Sequence, residues 1–228
     1  MKHIIPKIKN KILDLSPTAK SLCINSGVNN TSYFERLVEN PFIFRHILPP
    51  PANVLDIGCW ESLTSIQLAM LGYDVVGIDL QKYGYAHMNF KFILDDFNQH
   101  NFESKKFDII INISAIEHFG LCCYKTFKED KTADIKAMKK IKSLLNKKGQ
   151  LLFTAPFGIH KEIKNFERIY DMSDINKLMI DFKIKTIKFY LLTNKKELKE
   201  VSQQIAEVID HDDINHTYAV VCIDAELK

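Results

Sequence analysis

The chain has 228 residues, 46% hydrophobic and 26% charged, which suits one globular domain with a sizeable core and excludes long disorder. A net charge of +3, carried mostly by scattered lysines with only Arg36, Arg45 and Arg168 as arginines, lacks the concentrated basic face of a nucleic-acid binder, so nucleic acid is not expected as a partner. The five cysteines show no C-x-x-C spacing, which argues against a disulfide framework or a structural zinc site, and no apolar run approaches the roughly 18 residues that span a bilayer.

The N-terminal stretch MKHIIPKIKNKILDL lacks the apolar core and cleavage site of a signal peptide, so a cytoplasmic location is expected. Residues 4–15 place Ile4, Ile8, Ile12 and Leu15 near helical spacing with lysines between them. This predicts an amphipathic helix that packs on the domain or touches a membrane surface peripherally. Residues 31–47 read as helical with a break near Pro41. Pro49, Pro50 and Pro51 then mark the boundary between a helical extension (residues 1–50) and the main domain (residues 51–228).

Beyond that boundary strands and helices alternate. Strands are expected at 53–57, 74–80, 90–94, 107–113 and 150–154, with helices at 61–71 and 132–146. Gly72 and Gly149 stand where these helices should end. The chain closes with a strand at 183–192, a helix at 194–208 and a strand at 217–224. This order predicts an α/β fold: a Rossmann-like, mostly parallel sheet with helices on both faces and an antiparallel edge strand.

The segment NVLDIGCWESLTSIQLAMLGYDVVGIDL joins a strand ending near Asp56, a turn at Gly58, a helix, and a strand ending at Asp79. An acidic residue about 20 positions after a glycine turn is placed to accept hydrogen bonds from ribose hydroxyls. The turn is not G-x-G-x-x-G. Trp60 and Glu61 oppose a pyrophosphate at the helix start, which favours a sulfonium cofactor over NAD.

VLDIGCWES followed by VVGIDL resembles the first two motifs of class I S-adenosylmethionine-dependent methyltransferases. FDIIINISAIEHFG is similar to their fourth-strand region, and IKSLLNKKGQLLFTAPFG to their fifth. The resemblance covers about residues 52–192. Within the family, the E-S after the turn, I-E-H-F-G and R-I-Y-D are similar to methyltransferases associated with polysaccharide biosynthesis. The resemblance implies that S-adenosylmethionine is the cofactor. Asp56 and Gly58 would border its methionine moiety, and Ser114 and Ala115 would line that side. Asp79 would hold the ribose, and Asp96, with Phe97 beside it, would meet the adenine amino group. Cys59 and Leu80 are further expected cofactor-binding residues. Read as residues alone, Asp56 could be a strand-end residue or helix cap, and Asp95 and Asp96 a solvated turn.

Methyl transfer to a hydroxyl needs an aligned acceptor and a base. His118 has the intrinsic pKa for that task, with Glu117 beside it and His160 following the fifth strand. The three could instead hold a divalent metal, or Glu117 and His118 could be structural. Ser114 stands where a metal-binding cluster of this family has its first Glu, so no metal is expected. Cys122 and Cys123 lack an activating neighbour and read as ordinary thiols. Arg168 and Tyr170 could border an acceptor, or Tyr170 could pack under a helix capped by Asp171 or Ser173.

The expected function is transfer of a methyl group to a small-molecule or glycan acceptor. The alternatives are action on RNA or protein, and an inactive methyltransferase-like domain serving as a binding partner.

Overall fold

The computed structural model describes residues 32–228 except 61, 122–128, 164, 194–196 and 212–216. The expected helix at 4–15, Cys122, Cys123 and most of the polar segment between Leu121 and Asp134 lie outside the described residues.

Among the described residues ten strands and five helices follow one another: α1 (Ser32–His46), β1 (Asn53–Ile57), α2 (Thr64–Met70), β2 (Asp74–Asp79), β3 (Phe90–Leu94), β4 (Phe107–Ile113), α3 (Ala133–Leu144), β5 (Leu145–Pro156), β6 (Lys161–Ile163), β7 (Glu167–Ile169), α4 (Met172–Leu178), β8 (Phe182–Leu192), β9 (Leu198–Val201), α5 (Gln203–Ala206) and β10 (Tyr218–Leu227). Eight strands form one sheet in the order β3-β2-β1-β4-β5-β10-β8-β9. Strands β3 to β5 in that order pair in parallel. The final strand, β10, runs antiparallel and lies inside the sheet between β5 and β8, while β9 forms the antiparallel edge. Strands β6 and β7 make a separate hairpin.

Why β4 is a strand is plain from FDIIINI. It is β-branched and apolar, and it is buried on both faces because helices cover both sides of the sheet. On one face Ile109 and Ile111 pack with Phe42 and Ile43 of α1 and Leu68 of α2. On the other, Ile110 packs with Ala137, Met138 and Ile141 of α3 and Ile175 and Leu178 of α4. Each such side chain contributes roughly 1.5–3 kcal/mol on burial. Among the described residues no helix is long and apolar enough to cross a membrane.

Three expectations are corrected. Gly149 does not end α3, which stops at Leu144; it lies within β5. Helix α1 runs through Pro41 without a break. Pro41 removes the hydrogen bond to the carbonyl of Leu37, but both residues are exposed, so water can satisfy that carbonyl. The helix expected at 194–208 is instead strand β9 followed by the single turn α5. The open edge of β8 offers unpaired backbone groups, and Leu198–Val201 satisfies them despite its helix-favouring Lys199 and Glu200.

Candidate functional site

The chain builds β1, β2 and β3 to one side and then β4 and β5 to the other. The order therefore reverses between β1 and β4, and the crevice at their carboxyl ends is the expected ligand position in an open α/β sheet.

Gly58 ends β1 at a φ of +74°, a left-handed conformation that suits glycine. Its N–H donates to the Ile78 carbonyl at 2.9 Å. A Cβ on Gly58 would lie 2.4 Å from the Cβ of Ala115, which follows β4, so the two strand ends meet without space between them. Asp79 ends β2. One carboxylate oxygen accepts from Trp60 N–H at 2.9 Å and the other from Gln81 N–H at 2.8 Å. Asp79 thereby ties the glycine turn to the turn after β2. Each oxygen keeps a further lone pair for a ligand. Burial raises the pKa of Asp79, opposed by these backbone donors.

The first amide of α2 is already engaged. Ser62 Oγ accepts from Thr64 N–H at 3.1 Å and donates to Thr64 Oγ1 at 2.8 Å. Tyr83 closes the turn further, its hydroxyl donating to the Ser62 carbonyl at 2.6 Å.

Asp56, Cys59 and Phe97 have their side chains in packing. Asp56, 2% exposed, accepts from Ser65 Oγ at 2.6 Å and braces α2 against β1. Burial pushes its pKa up to about 6, although the Ser65 bond opposes this. The Cys59 thiol is buried against Gly77. Phe97 packs with Phe102 and Phe119, and Lys140 Nζ donates to its carbonyl. Asp96 is half-buried and accepts from Asn98 N–H at 2.7 Å, the turn geometry typical of Asp. Leu80 leaves 39% of its surface exposed beside Asp79.

Ser114, at a φ of +41°, is held by its N–H to Thr154 Oγ1 at 3.0 Å and by its hydroxyl to Glu39. Glu39, on α1, is fully buried. It also accepts from Thr154 Oγ1 at 2.6 Å and from the Arg36 guanidinium. The sequence reading missed Glu39 and Arg36. A signal was present: Glu35, Glu39, Phe42, Ile43 and His46 share one helical face, so two acids lie on the core-facing stripe.

After Ser114 the chain makes a short 3-10 turn, Ile116–His118. His118 Nδ1 donates to the Phe166 carbonyl at 2.6 Å, since a carbonyl can only accept, and this leaves Nε2 as the basic nitrogen. Nε2 lies 3.8 Å from Glu117 Oε1. Burial lowers the His118 pKa to about 4, aided by Arg36 and Arg168, while burial raises that of Glu117 well above the usual range. His118 is therefore neutral near pH 7, and its contact with Glu117 is not an ion pair. Arg168, buried, donates to the carbonyls of Glu117 at 3.3 Å and Phe119 at 2.7 Å and so fixes this turn. Tyr170 is buried and donates to Asp134, and Asp171 caps α4.

His160 is not brought to this turn. Its Nδ1 bonds Asp174 Oδ2 at 2.5 Å, at the start of α4, where its donor atoms and those of Asp171 and Asp174 lie within 4.8 Å of one another.

The neutrality of His118 has a measurable sign. A lowered histidine pKa contributes stability that is fully present above the unfolded value near 6.5 and is lost as pH falls towards 4. The stability gap between the wild type and His118→Gln is expected to be about 2 kcal/mol smaller at pH 5 than at pH 7.5. Urea unfolding at both pH values measures it, and equal gaps would mean a solvated imidazole.

The sequence pattern of the family described as "Caenorhabditis protein of unknown function, DUF268" matches residues 67–221. The chain belongs to the DUF268 family. No curated protein matches it in sequence. Solved structures with a similar fold include TehB from Haemophilus influenzae, with a TM-score of 0.55 and 16% identity over 84% of this chain. This DUF268 chain spans 63% of TehB. A methyltransferase from Methanosarcina mazei, S-adenosylmethionine-dependent by its description, has a TM-score of 0.55 and 16% identity, covering 82% of this chain and 97% of its own. The 1,6-didemethyltoxoflavin-N1-methyltransferase of Burkholderia thailandensis, solved with 1,6-didemethyltoxoflavin and S-adenosylhomocysteine bound, has a TM-score of 0.55 and 12% identity, covering 97% of this chain and 87% of its own. These likenesses establish the α/β methyltransferase-type fold.

Proposed function

We propose that this DUF268 chain is an S-adenosylmethionine-dependent methyltransferase acting on a small-molecule or glycan acceptor, with a hydroxyl as the methylated group. The observation that carries the reading is the pair of Gly58 and Asp79 at the ends of β1 and β2. Gly58 and Asp79 stand at the switch point for a nucleoside, and Ser62 already accepts from Thr64 N–H, which takes one of the amides a pyrophosphate would use. The tight Gly58–Ala115 approach and the remaining lone pairs of Asp79 fit that cofactor.

Bound S-adenosylmethionine would supply an electrophilic methyl group. The chain's own residues do the rest. Asp79 accepts from the ribose hydroxyls, Leu80 offers an apolar wall, and Asp96 meets the adenine amino group. The backbone of Gly58 and Cys59 and the side chain of Ser114 border the methionine end. Neutral His118 takes the acceptor's proton on Nε2, and Glu117 and Arg168 set the turn that aims it. His160, bound to Asp174, has no step in this scheme.

Calorimetric titration with S-adenosylmethionine and S-adenosylhomocysteine, with NAD as control, tests the reading. Micromolar binding of the first two and none of NAD is expected. Asp79→Ala should weaken that binding tenfold or more, because a hydrogen bond to a charged group contributes about 1.5 kcal/mol or more. Failure of the wild type to bind either ligand would favour a non-catalytic binding partner instead.

A further inference from the structure

Just past the end of β5 lies a polar cleft that the methyl-transfer scheme does not use. Three segments build it: residues 158–160 after β5, Asp171 and Ser173 at the start of α4, and Glu207 just after α5. Its volume is about 450 Å³. The walls are tied together. Ile159 N–H donates to the Ile209 carbonyl at 2.9 Å, and Gly158 N–H to the Tyr170 carbonyl at 2.9 Å. Gly158 lets the chain after α5 come this close, since a Cβ there would stand 2.3 Å from the Ile209 carbonyl oxygen.

Three metal-ligating side chains converge at this cleft. A ring nitrogen of His160 and one oxygen each from Asp171 and Asp174 lie within 4.8 Å of one another, the one such group of three among the described residues. Donors that share an ion at about 2.0–2.2 Å stand roughly 3–4.4 Å apart, so side-chain turns of a few tenths of an ångström close the set. The His160 side chain is 58% exposed, so its ring can turn without disturbing the core. Asp171 accepts from Asp174 N–H at 2.9 Å with one oxygen, and its other oxygen has no hydrogen bond among the described residues. Lys177, 3.3 Å from Asp174, is exposed and can swing into water. The positive end of α4 opposes a cation, but that end amounts to only about half a charge, and two carboxylates in the first turn outweigh it.

We propose that His160, Asp171 and Asp174 bind a divalent cation of mixed nitrogen and oxygen preference, of the Mn²⁺ or Zn²⁺ kind. One imidazole with two carboxylates suits these ions, whereas Mg²⁺ and Ca²⁺ take oxygen ligands. Three protein ligands leave coordination positions open, and the cleft gives water or a ligand oxygen room to fill them. Glu207 lines the same cleft as a further carboxylate. The ion ties the chain after β5 to α4, at the carboxyl end of the parallel strands where β1 and β4 form the switch point. The site does not depend on the methyltransferase reading.

Mn²⁺ is the probe, because the chain's cysteines compete for Zn²⁺. Its paramagnetic resonance signal is lost on binding, so free ion is counted directly as the full chain is titrated. One ion per chain is expected to bind at micromolar concentration. A hundredfold excess over Kd should raise the melting temperature by roughly 5–10 °C. Asp171→Asn keeps an acceptor for the helix cap and removes the charge, so the fold is spared. It and His160→Gln should each weaken binding at least tenfold, since even changes behind the ligands of a metal site cost about that much, and each should remove the melting shift. His100→Gln is the control. His100 bonds Asp95 at 2.8 Å in a pair without a third donor, and its loss should leave binding unchanged. Wild-type binding no tighter than that of Asp171→Asn and His160→Gln overturns the proposal. Displacement of Mn²⁺ by an equal concentration of Mg²⁺ also overturns it, since a site that ignores its imidazole is only a patch of acids. All of this is measured without S-adenosylmethionine, so failure of the cation site and failure of the methyltransferase reading are separate results.

Discussion

Gly58→Ala is expected to lower the melting temperature by roughly 5–15 °C and to weaken S-adenosylhomocysteine binding at least tenfold, for two separable reasons. The first is backbone strain. At a φ of +74° an L-residue costs about 1–2 kcal/mol more than glycine. The second is collision. The new Cβ would stand 2.4 Å from the Cβ of Ala115, and neither side can yield easily. Gly58 N–H is bonded to Ile78, and the residue before Ala115 is tied to Thr154 and Glu39. Overpacking of this kind costs about 1–3 kcal/mol. A chain of this size loses about 2–4 °C per kcal/mol.

Gly72→Ala separates the two effects. Gly72 also has a positive φ, +95°, but its nearest neighbour to a new Cβ is 4.0 Å away. It should show the strain without the collision, with a small fall in melting temperature and unchanged binding. If Gly58→Ala melts and binds like Gly72→Ala, the close approach of the two strand ends has no role in the site.

The parts of the fold that were legible in the sequence are those whose local pattern and tertiary setting agree. The strands at 53–57, 90–94 and 107–113 coincide with β1, β3 and β4 residue for residue, because short β-branched runs between turns have no competing helical period. The stretch around Leu198–Val201 was misread because its propensity is helical and only the open edge of β8 makes it a strand. The place of β10 inside the sheet was not legible either, since a strand's sequence shows its faces but not its neighbours. The positions of Gly58 and Asp79 at the ends of β1 and β2 were readable from spacing. Which way a side chain points was not. Asp56 and Cys59 neighbour the glycine turn in sequence, yet packing takes their side chains into the core. His160 follows β5 closely in sequence, but its partner is Asp174 on α4. The Phe166 carbonyl that fixes the His118 tautomer lies 48 residues away in a hairpin that local pattern did not announce.

Glu39→Ala should destabilise the protein by about 3 kcal/mol, or roughly 6–12 °C, and loosen the cofactor's methionine side at the same time. Glu39 is the point where α1 meets the carboxyl ends of β4 and β5. Its carboxylate accepts from Ser114 Oγ, Thr154 Oγ1 and Arg36 together. Removing it leaves the buried Thr154 hydroxyl and the half-buried Ser114 hydroxyl without their acceptor and a guanidinium without its anion. Breaking a buried pair in this way costs about 3–5 kcal/mol. Arg36 is partly exposed and can turn to water, which places the expected loss at the low end. Ser114 holds a left-handed backbone that these bonds help to fix, so its release should carry through to the ligand. Glu39→Gln keeps an acceptor for one hydroxyl but loses the charge that holds Arg36, and should fall between the wild type and Ala in both measurements. Chemical unfolding and calorimetric titration of the three proteins give the answer. Should Glu39→Ala unfold within about 0.5 kcal/mol of the wild type, the scale of an ordinary surface change, apolar packing by Phe42 and Ile43 would be what docks α1. A stability loss with unchanged ligand affinity would instead confine Glu39 to holding the helix and free Ser114 from any part in the pocket.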